Sequence, residues 1–228
     1  MLYRILGCLL LFLMRSPAGA QVRFSFATDI SILRNFSTQQ KFWALGQTVQ
    51  GNFHFSRSES VYAWLSYHTN GSFTNTFTAA AKSPSTAPAN LSYDVKGQWR
   101  FRQVSVGWKH YFMGRFNGTD RFNFYGLGGF GLLFATAENS IVSEIDTASY
   151  NLSEMPVIGT YDFKRLTIDL GLGAEYPMGA NIYLYGDLRT WLPASSYPSS
   201  VFHNPNKVPL PVMAQIGLRI LIGQDEEE

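Results

Sequence analysis

The sequence predicts an all-β protein, an eight-stranded antiparallel up-and-down transmembrane β-barrel. Three observations carry that expectation. Across residues 160–176, Thr160, Asp162, Lys164, Leu166, Ile168, Leu170, Leu172, Ala174 and Tyr176 fall on one side of a strand. Tyr161, Phe163, Arg165, Thr167, Asp169, Gly171, Gly173 and Glu175 fall on the other. From Leu166 onward the first side is apolar and ends in Tyr, while the second is small, polar or charged. A period of two held this long marks a strand longer than most soluble ones. Second, the chain opens with what reads as an export signal. Third, no later stretch approaches the roughly 18 consecutive apolar residues of a spanning helix. Aromatics nevertheless make up 15% of the chain, which suits an exported barrel that cannot use long apolar runs.

The signal is assigned to the first 20 residues. Arg4 supplies a positive start, Ile5–Met14 an apolar run, and Ala18-Gly19-Ala20 a small-x-small cleavage site before Gln21. Cys8 ends a lipoprotein-like Ile5-Leu6-Gly7-Cys8, but at the start of the apolar run instead of its end. Removing Arg4 and Arg15 from 18 basic residues leaves 16, against 16 acidic ones. No basic stripe of the kind a nucleic-acid partner needs is then indicated. The single cysteine leaves as well, so the mature chain can form no internal disulfide and no thiolate metal site. The expected organisation is signal 1–20, barrel 21–223 and an acidic soluble tail 224–228.

Eight strand-like segments follow in order: 22–34, 42–55, 60–73, 97–113, 121–136, 160–176, 181–192 and 208–222. Ser56–Glu59, Gly114–Asp120 and Pro177–Ala180 read as short turns, mostly with Gly, Asn, Asp or Pro. Residues 74–96, 137–159 and 193–207 read as long loops; the link 35–41 is the short member of that side. Short turns on the periplasmic side and longer loops outside are the habit of outer-membrane barrels. An even strand count then puts both termini in the periplasm.

Other strands repeat the two-faced pattern. Val22, Phe24, Phe26, Ile30 and Ile32 oppose Arg23, Ser25, Ala27 and Asp29. Val104, Val106, Trp108 and Phe112 oppose Gln103, Ser105, Gly107 and Lys109. Ile182, Leu184 and Leu188 oppose Tyr183, Tyr185, Asp187 and Arg189, and the last strand sets Leu210 through Ile222 against Met213, Gln215, Gly217 and Arg219. In the third strand Tyr62 and Trp64 compete with Val61, Ala63 and Leu65 for the outer face. Alternation alone is also consistent with a soluble, lipocalin-like barrel that buries its apolar face. Three features favour lipid outside: aromatics near strand ends (Phe112, Phe122, Phe124, Tyr176), glycines on the polar face (Gly107, Gly171, Gly173, Gly217), and the lack of an apolar complement on that face.

With lipid outside, the interior holds Arg23, Asp29, Lys109, Arg165, Asp169, Glu175, Asp187, Arg189 and Arg219. Unpaired charges there would cost several kcal/mol each, so a network is expected. In the sixth–seventh hairpin, Tyr176 facing Ile182 would set Asp169 opposite Arg189 and Glu175 opposite Tyr183. A shift by two would oppose Asp169 with Asp187, an unfavourable like-charge pair. Eight strands leave a lumen about wide enough to be filled by its own side chains. A sealed polar interior is therefore expected, with a narrow channel for small solutes as an alternative.

The last strand, Gln215-Ile216-Gly217-Leu218-Arg219-Ile220-Leu221-Ile222, resembles the signal read by the barrel assembly machinery, without the usual terminal Phe. Tyr125-Gly-Leu-Gly-Gly-Phe-Gly131 and Asp169-Leu-Gly-Leu-Gly-Ala-Glu-Tyr176 resemble the Gly-rich strands of small porin-family (OmpA/OmpX-like) outer-membrane barrels. The resemblance covers the mature chain and implies a Gram-negative outer membrane, with its lipid and lipopolysaccharide as surroundings; it brings no active site. His54-Phe55-Ser56 is similar to the His-x-Ser element of barrel lipid A deacylases, which makes His54 and Ser56 candidates for ester cleavage by a hydroxyl beside a general base. The motif falls at an expected periplasmic turn, however, where a structural role is the simpler reading. His68, His110 and His203 have no metal-like spacing, and neither metal nor other cofactor is expected. Phe77, Tyr93, Ile141, Ile145 and Tyr150 in the loops could anchor an extracellular partner or pack the loops over the barrel mouth. The expected role is non-enzymatic, structural or surface-binding through the long loops, with lipid A ester hydrolysis as the enzymatic alternative.

Overall fold

The computed structural model describes residues 23–152, 156–179, 181–204 and 209–222. The signal, Cys8 and the acidic tail lie outside the described residues. Nine strands form, β1 (Arg23–Asn35), β2 (Phe42–His54), β3 (Glu59–Ala81), β4 (Asn90–Met113), β5 (Asn123–Ile141), β6 (Tyr150–Asn151), β7 (Gly159–Gly179), β8 (Ile182–Pro193) and β9 (Pro211–Ile222). Eight of them close a ring of antiparallel neighbours, β1-β2-β3-β4-β5-β7-β8-β9, with β9 returning to β1 from Phe24↔Ile222 to Asn35↔Pro211. The two-residue β6 only borders β3 at Ala80 and Ala81. Closure leaves the ring without an edge, the condition for a sheet to cross a bilayer.

Which face points outward follows from accessibility. Leu166, Ile168, Leu170, Leu172 and Tyr176 are exposed, whereas Thr167, Asp169 and Glu175 are buried. The same parity holds on β1, β4, β8 and β9, and it resolves the third strand: Tyr62 and Trp64 point in, Val61 and Leu65 out. From Leu166 to Tyr176 the β7 backbone advances roughly 33 Å. At a tilt of about 40° this gives about 25 Å along the normal, the height of an apolar barrel band. At the short-turn end of the band Phe112, Phe122, Phe124 and Tyr176 form an aromatic girdle, with Phe122 and Tyr176 centroids 4.9 Å apart. The chain is a transmembrane β-barrel.

Three expectations need correction. The stretch 74–96 is largely strand, with β3 and β4 paired up to Ala80↔Asn90, and β5 runs on to Ile141 at the start of 137–159. Polar Thr and Asn at alternate positions outside the lipid band pair as well as apolar residues do, so loss of the apolar stripe marks the membrane edge and not the strand end. Second, the β7–β8 register is two residues away from the expected one. Asp169 faces Trp191, Glu175 faces Tyr185, Gly171 faces Arg189 and Gly173 faces Asp187. Gly179 and Asn181 adopt positive φ (96° and 66°), permitting a tighter turn than Pro177–Ala180. Two glycines then make room for this pairing. A Cβ on Gly173 would lie 2.6 Å from the Asp187 Cβ, and one on Gly171 3.0 Å from the Arg189 Cγ. Parity is unchanged, so Asp169 and Arg189 both remain inside. Third, the inward face is not uniformly polar. Leu33, Leu127, Leu133 and Met213 are buried within the ring, and toward the long-loop end they join Phe42, Trp99, Phe101, Trp191 and Phe202.

Leu170→Arg, at the middle of the outward band, is expected to lower the unfolding free energy by about 2–4 kcal/mol, whereas Thr160→Arg above the band should cost about 0–1 kcal/mol. Denaturant titration in lipid vesicles measures both.

Candidate functional site

The alternation that faces leucines to lipid delivers seven charged side chains to the lumen: Lys109, Arg189 and Arg219, with Asp29, Asp169, Glu175 and Asp187. They sort into separate clusters. Nearest the short-turn end, Glu175 on β7 accepts hydrogen bonds from Arg219 Nε (3.1 Å) and Nη2 (2.7 Å) on β9, and from Tyr111 OH (2.9 Å) on β4. Lys109 Nζ reaches it at 3.3 Å while lying 3.6 Å above the Tyr125 ring. Arg219 stacks over Tyr183 at 4.0 Å and donates to the Phe116 carbonyl at 2.7 Å. One carboxylate thus anchors two cations across three strands, and aromatic faces take up what positive charge remains.

Higher up, Asp187 receives Arg189 through Nε at 3.1 Å and Nη2 at 2.8 Å, and Tyr125 OH at 3.2 Å. Arg189 also donates to Gln50 Oε1 at 2.7 Å and lies 4.6 Å from the Trp64 ring. The other two carboxylates have no cation within salt-bridge distance among the described residues. Asp29 accepts Tyr185 OH at 2.6 Å. Asp169 accepts Gln103 Nε2 (2.7 Å), Thr167 Oγ1 (2.9 Å) and the Ser105 hydroxyl.

Two of the nine expected interior charges lie elsewhere. Arg23, the first residue of β1, is only half-buried at the short-turn rim, over the Phe116 ring at 5.8 Å. Arg165 keeps the inward parity but sits at the opposite rim, donating to the carbonyls of Ser196 (2.7 Å) and Lys164 (2.6 Å). Parity assigns a face, not a depth, so residues at or beyond the ends of the closed ring escape the lumen. Conversely, Gln50, Gln103, Ser105, Tyr111, Tyr125 and Tyr185 are the neutral partners that complete the network. Their inward parity was readable, but only lateral proximity across the ring shows which charge each one serves.

The ester-cleavage candidates are not brought together. His54 is buried in the lumen floor, with Nε2 2.8 Å from Ser25 Oγ, Nδ1 2.6 Å from Ser60 Oγ, and its ring stacked on Phe116 at 4.4 Å. Ser56 lies in the exposed turn, where its Oγ accepts the amides of Ser58 (3.3 Å) and Glu59 (3.0 Å). The other three histidines are also dispersed. His68 bonds Ser31 inside, His110 pairs with Glu59 outside at 2.6 Å, and His203 lies in the β8–β9 link.

That link closes the long-loop mouth. Phe202 packs on Trp99 at 4.8 Å, Tyr197 on Phe163 at 5.6 Å and His203 on Phe73 at 4.8 Å. Asn139 donates to the Val201 carbonyl at 2.9 Å, and His203 accepts Asn75 Nδ2 at Nδ1 (2.9 Å) and donates from Nε2 to Asn139 Oδ1 at 3.1 Å. Burial lowers the His203 imidazole to about 4. Burial also pushes the Tyr197 hydroxyl up to about 12, against the pull of Arg165. Beyond the mouth, Tyr93 and Tyr150 are buried together with Ala79 and Val95, and Phe77, Ile141 and Ile145 pack against them. These loop-region aromatics pack on one another.

No protein-family model and no curated protein matches the sequence. Solved structures do resemble it. Neisserial surface protein A superposes with a TM-score of 0.52 at 10% identity, covering 86% of this chain and 96% of that one. Ail of Yersinia pestis (TM-score 0.49, 9% identity, 89% and 99% covered) and OprG of Pseudomonas aeruginosa (TM-score 0.49, 11% identity, 90% and 98% covered) are also similar. The first of these likenesses supports the fold, that of a small eight-stranded transmembrane β-barrel.

Glu175→Ala leaves Lys109 and Arg219 buried without their carboxylate and is expected to cost about 3–5 kcal/mol. Adding Arg219→Leu should return part of that loss, as read from denaturant midpoints in detergent. His203 is held neutral in the folded state, so its contribution is full above the ordinary imidazole value near 6.5 and is lost as pH falls toward about 4. The protection factors of the Val201 and Phe202 amides, taken against intrinsic exchange at each pH, should fall across that window, and His203→Asn should flatten the response.

Proposed function

We propose that this protein is a non-enzymatic outer-membrane barrel, closed to solutes, that carries a rigid sheet beyond the bilayer as a structural or binding platform. The single observation that carries this reading is the filling of the lumen at two levels. The Glu175–Lys109–Arg219 and Asp187–Arg189 clusters cross its lower half, and the Phe42–Trp99–Trp191–Phe202 layer occupies its mouth. In this reading, a lumen so occupied among the described residues is closed to solutes. The separation of buried His54 from exposed Ser56 argues against ester hydrolysis by that pair.

What extends from the membrane supports the platform role. β2 pairs with β3 only as far as Gly46↔His68, and β8 with β7 only up to Thr167↔Pro193, yet β3, β4, β5 and β7 remain paired well past those points. A four-stranded sheet therefore rises on one side of the mouth, tipped by 82–89 and 142–158. In this reading the long-loop end faces the exterior, and both termini and the short turns face the periplasm. The β9 segment Gln215–Ile222 would engage the assembly machinery, and an extracellular partner would meet the sheet and its loops.

Planar-bilayer recordings test the closed lumen. The protein is expected to give no steady openings over a voltage ramp; long-lived unitary conductance from the wild-type protein would contradict it.

A further inference from the structure

Where the outward apolar band ends, cations begin, and they are most numerous on one wall. Register places Arg102, Phe134 and Lys164 in one row across β4, β5 and β7, and Arg100, Thr136 and Asp162 in the next row out. The row beneath is Val104, Leu132 and Leu166, all exposed and apolar. Adjacent strands lie about 4.8 Å apart, so Arg102 and Lys164 flank a gap of about 10 Å. These rows line an outward cleft of about 800 Å³.

The charge in the cleft is unbalanced. Arg100, Arg102 and Lys164 meet a single carboxylate, Asp162, which already accepts the Thr136 hydroxyl at 2.6 Å. Arg100 donates to Asn70 Oδ1 at 2.9 Å. Arg102 lies over the Tyr67 ring at 5.7 Å and Lys164 over Phe134 at 5.5 Å, and among the described residues neither has a carboxylate within salt-bridge distance. On the opposite wall, Arg34 of β1 rests on Trp43 at 4.7 Å, and exposed Lys41 precedes β2. Simple snorkelling of isolated cations to an interface places them singly around the ring. Three on β4 and β7, either side of β5, with apolar surface directly beneath, present phosphate-binding chemistry above an acyl-chain surface. At a bilayer surface, guanidinium and ammonium groups attract phosphate more strongly than in bulk water, and Arg can take it in a bidentate grip.

We propose that Arg100, Arg102 and Lys164 bind the phosphorylated headgroup of an outer-leaflet glycolipid, lipid A, whose acyl chains lie along Val104, Leu132 and Leu166. This rests on the outward orientation of the long-loop end proposed above. Phe134 separates the two inner cations and gives the sugar an apolar seat between them.

Native mass spectrometry of the detergent-solubilised mature protein provides the test, with three probes: bisphosphorylated lipid A, the same lipid stripped of phosphates, and inorganic phosphate. The phosphorylated lipid is expected to bind at least about tenfold more tightly than the stripped one. Millimolar inorganic phosphate should leave it bound. Arg102→Gln/Lys164→Gln should bring both lipids to the same affinity, while Arg34→Gln should change nothing; heat-modifiable migration confirms that each variant is folded. Equal binding of the two lipids to wild type, or undiminished preference in the double variant, overturns the proposal. Labelling of Ser85→Cys on intact cells by a membrane-impermeant maleimide separates the two ways of failing. Labelled cells with no lipid preference refute the lipid site alone. Labelling only after lysis refutes the orientation and the lipid site together.

Discussion

A ring of eight strands must satisfy two solvents with one backbone. Every second side chain meets hydrocarbon, and every other one meets a lumen so narrow that it has to be filled by protein. The second half of that constraint shapes most of what is seen here. A charge placed in the lumen cannot be left to water, and Glu175 shows the consequence: one carboxylate gathers Arg219, Lys109 and Tyr111 from two other strands. Small residues are forced where large ones cross. Gly171 and Gly173 stand opposite Arg189 and Asp187, and without that space the Asp187–Arg189 pair could not fold over the β7 backbone.

Parity was legible in the sequence because lipid enforces it residue by residue. The outward series Leu166 to Tyr176 and the inward series Thr167 to Glu175 were both readable without coordinates. Register was not. The argument from opposed charges put Asp169 beside Arg189, but inside a filled lumen side chains reach across to distant strands, so direct opposition of charges does not set the pairing. Depth was not legible either, which is why Arg23 and Arg165 fall at the rims. The mouth was hidden for another reason. Phe202 and Tyr197 come from a link with no period at all, and their partners Trp99 and Phe163 lie in stretches of strand that pass beyond the lipid.

The same separation of levels gives the functional reading its form. In the proposed reading the chemistry confined to the lumen is structural: His54 is held between Ser25 and Ser60, away from the turn that holds Ser56. What faces outward is therefore where recognition can occur. The paired extension of β3, β4, β5 and β7 rises on the wall that also carries Arg100, Arg102 and Lys164, so the tall side of the barrel and its basic rim coincide. A barrel fixed to the leaflet at that rim would present its sheet with a defined face to the exterior.

The orientation of the two faces underlies all of this, and the five tryptophans report on it directly. Trp43 and Trp108 are exposed on the outer wall, while Trp64, Trp99 and Trp191 are buried in the lumen. In bilayers of brominated lipid, single-tryptophan variants retaining Trp43 or Trp108 should be strongly quenched and those retaining Trp64, Trp99 or Trp191 should stay bright. The reverse pattern, with lumen tryptophans quenched by acyl bromines and outer ones spared, would contradict the assignment of lipid to the leucine face.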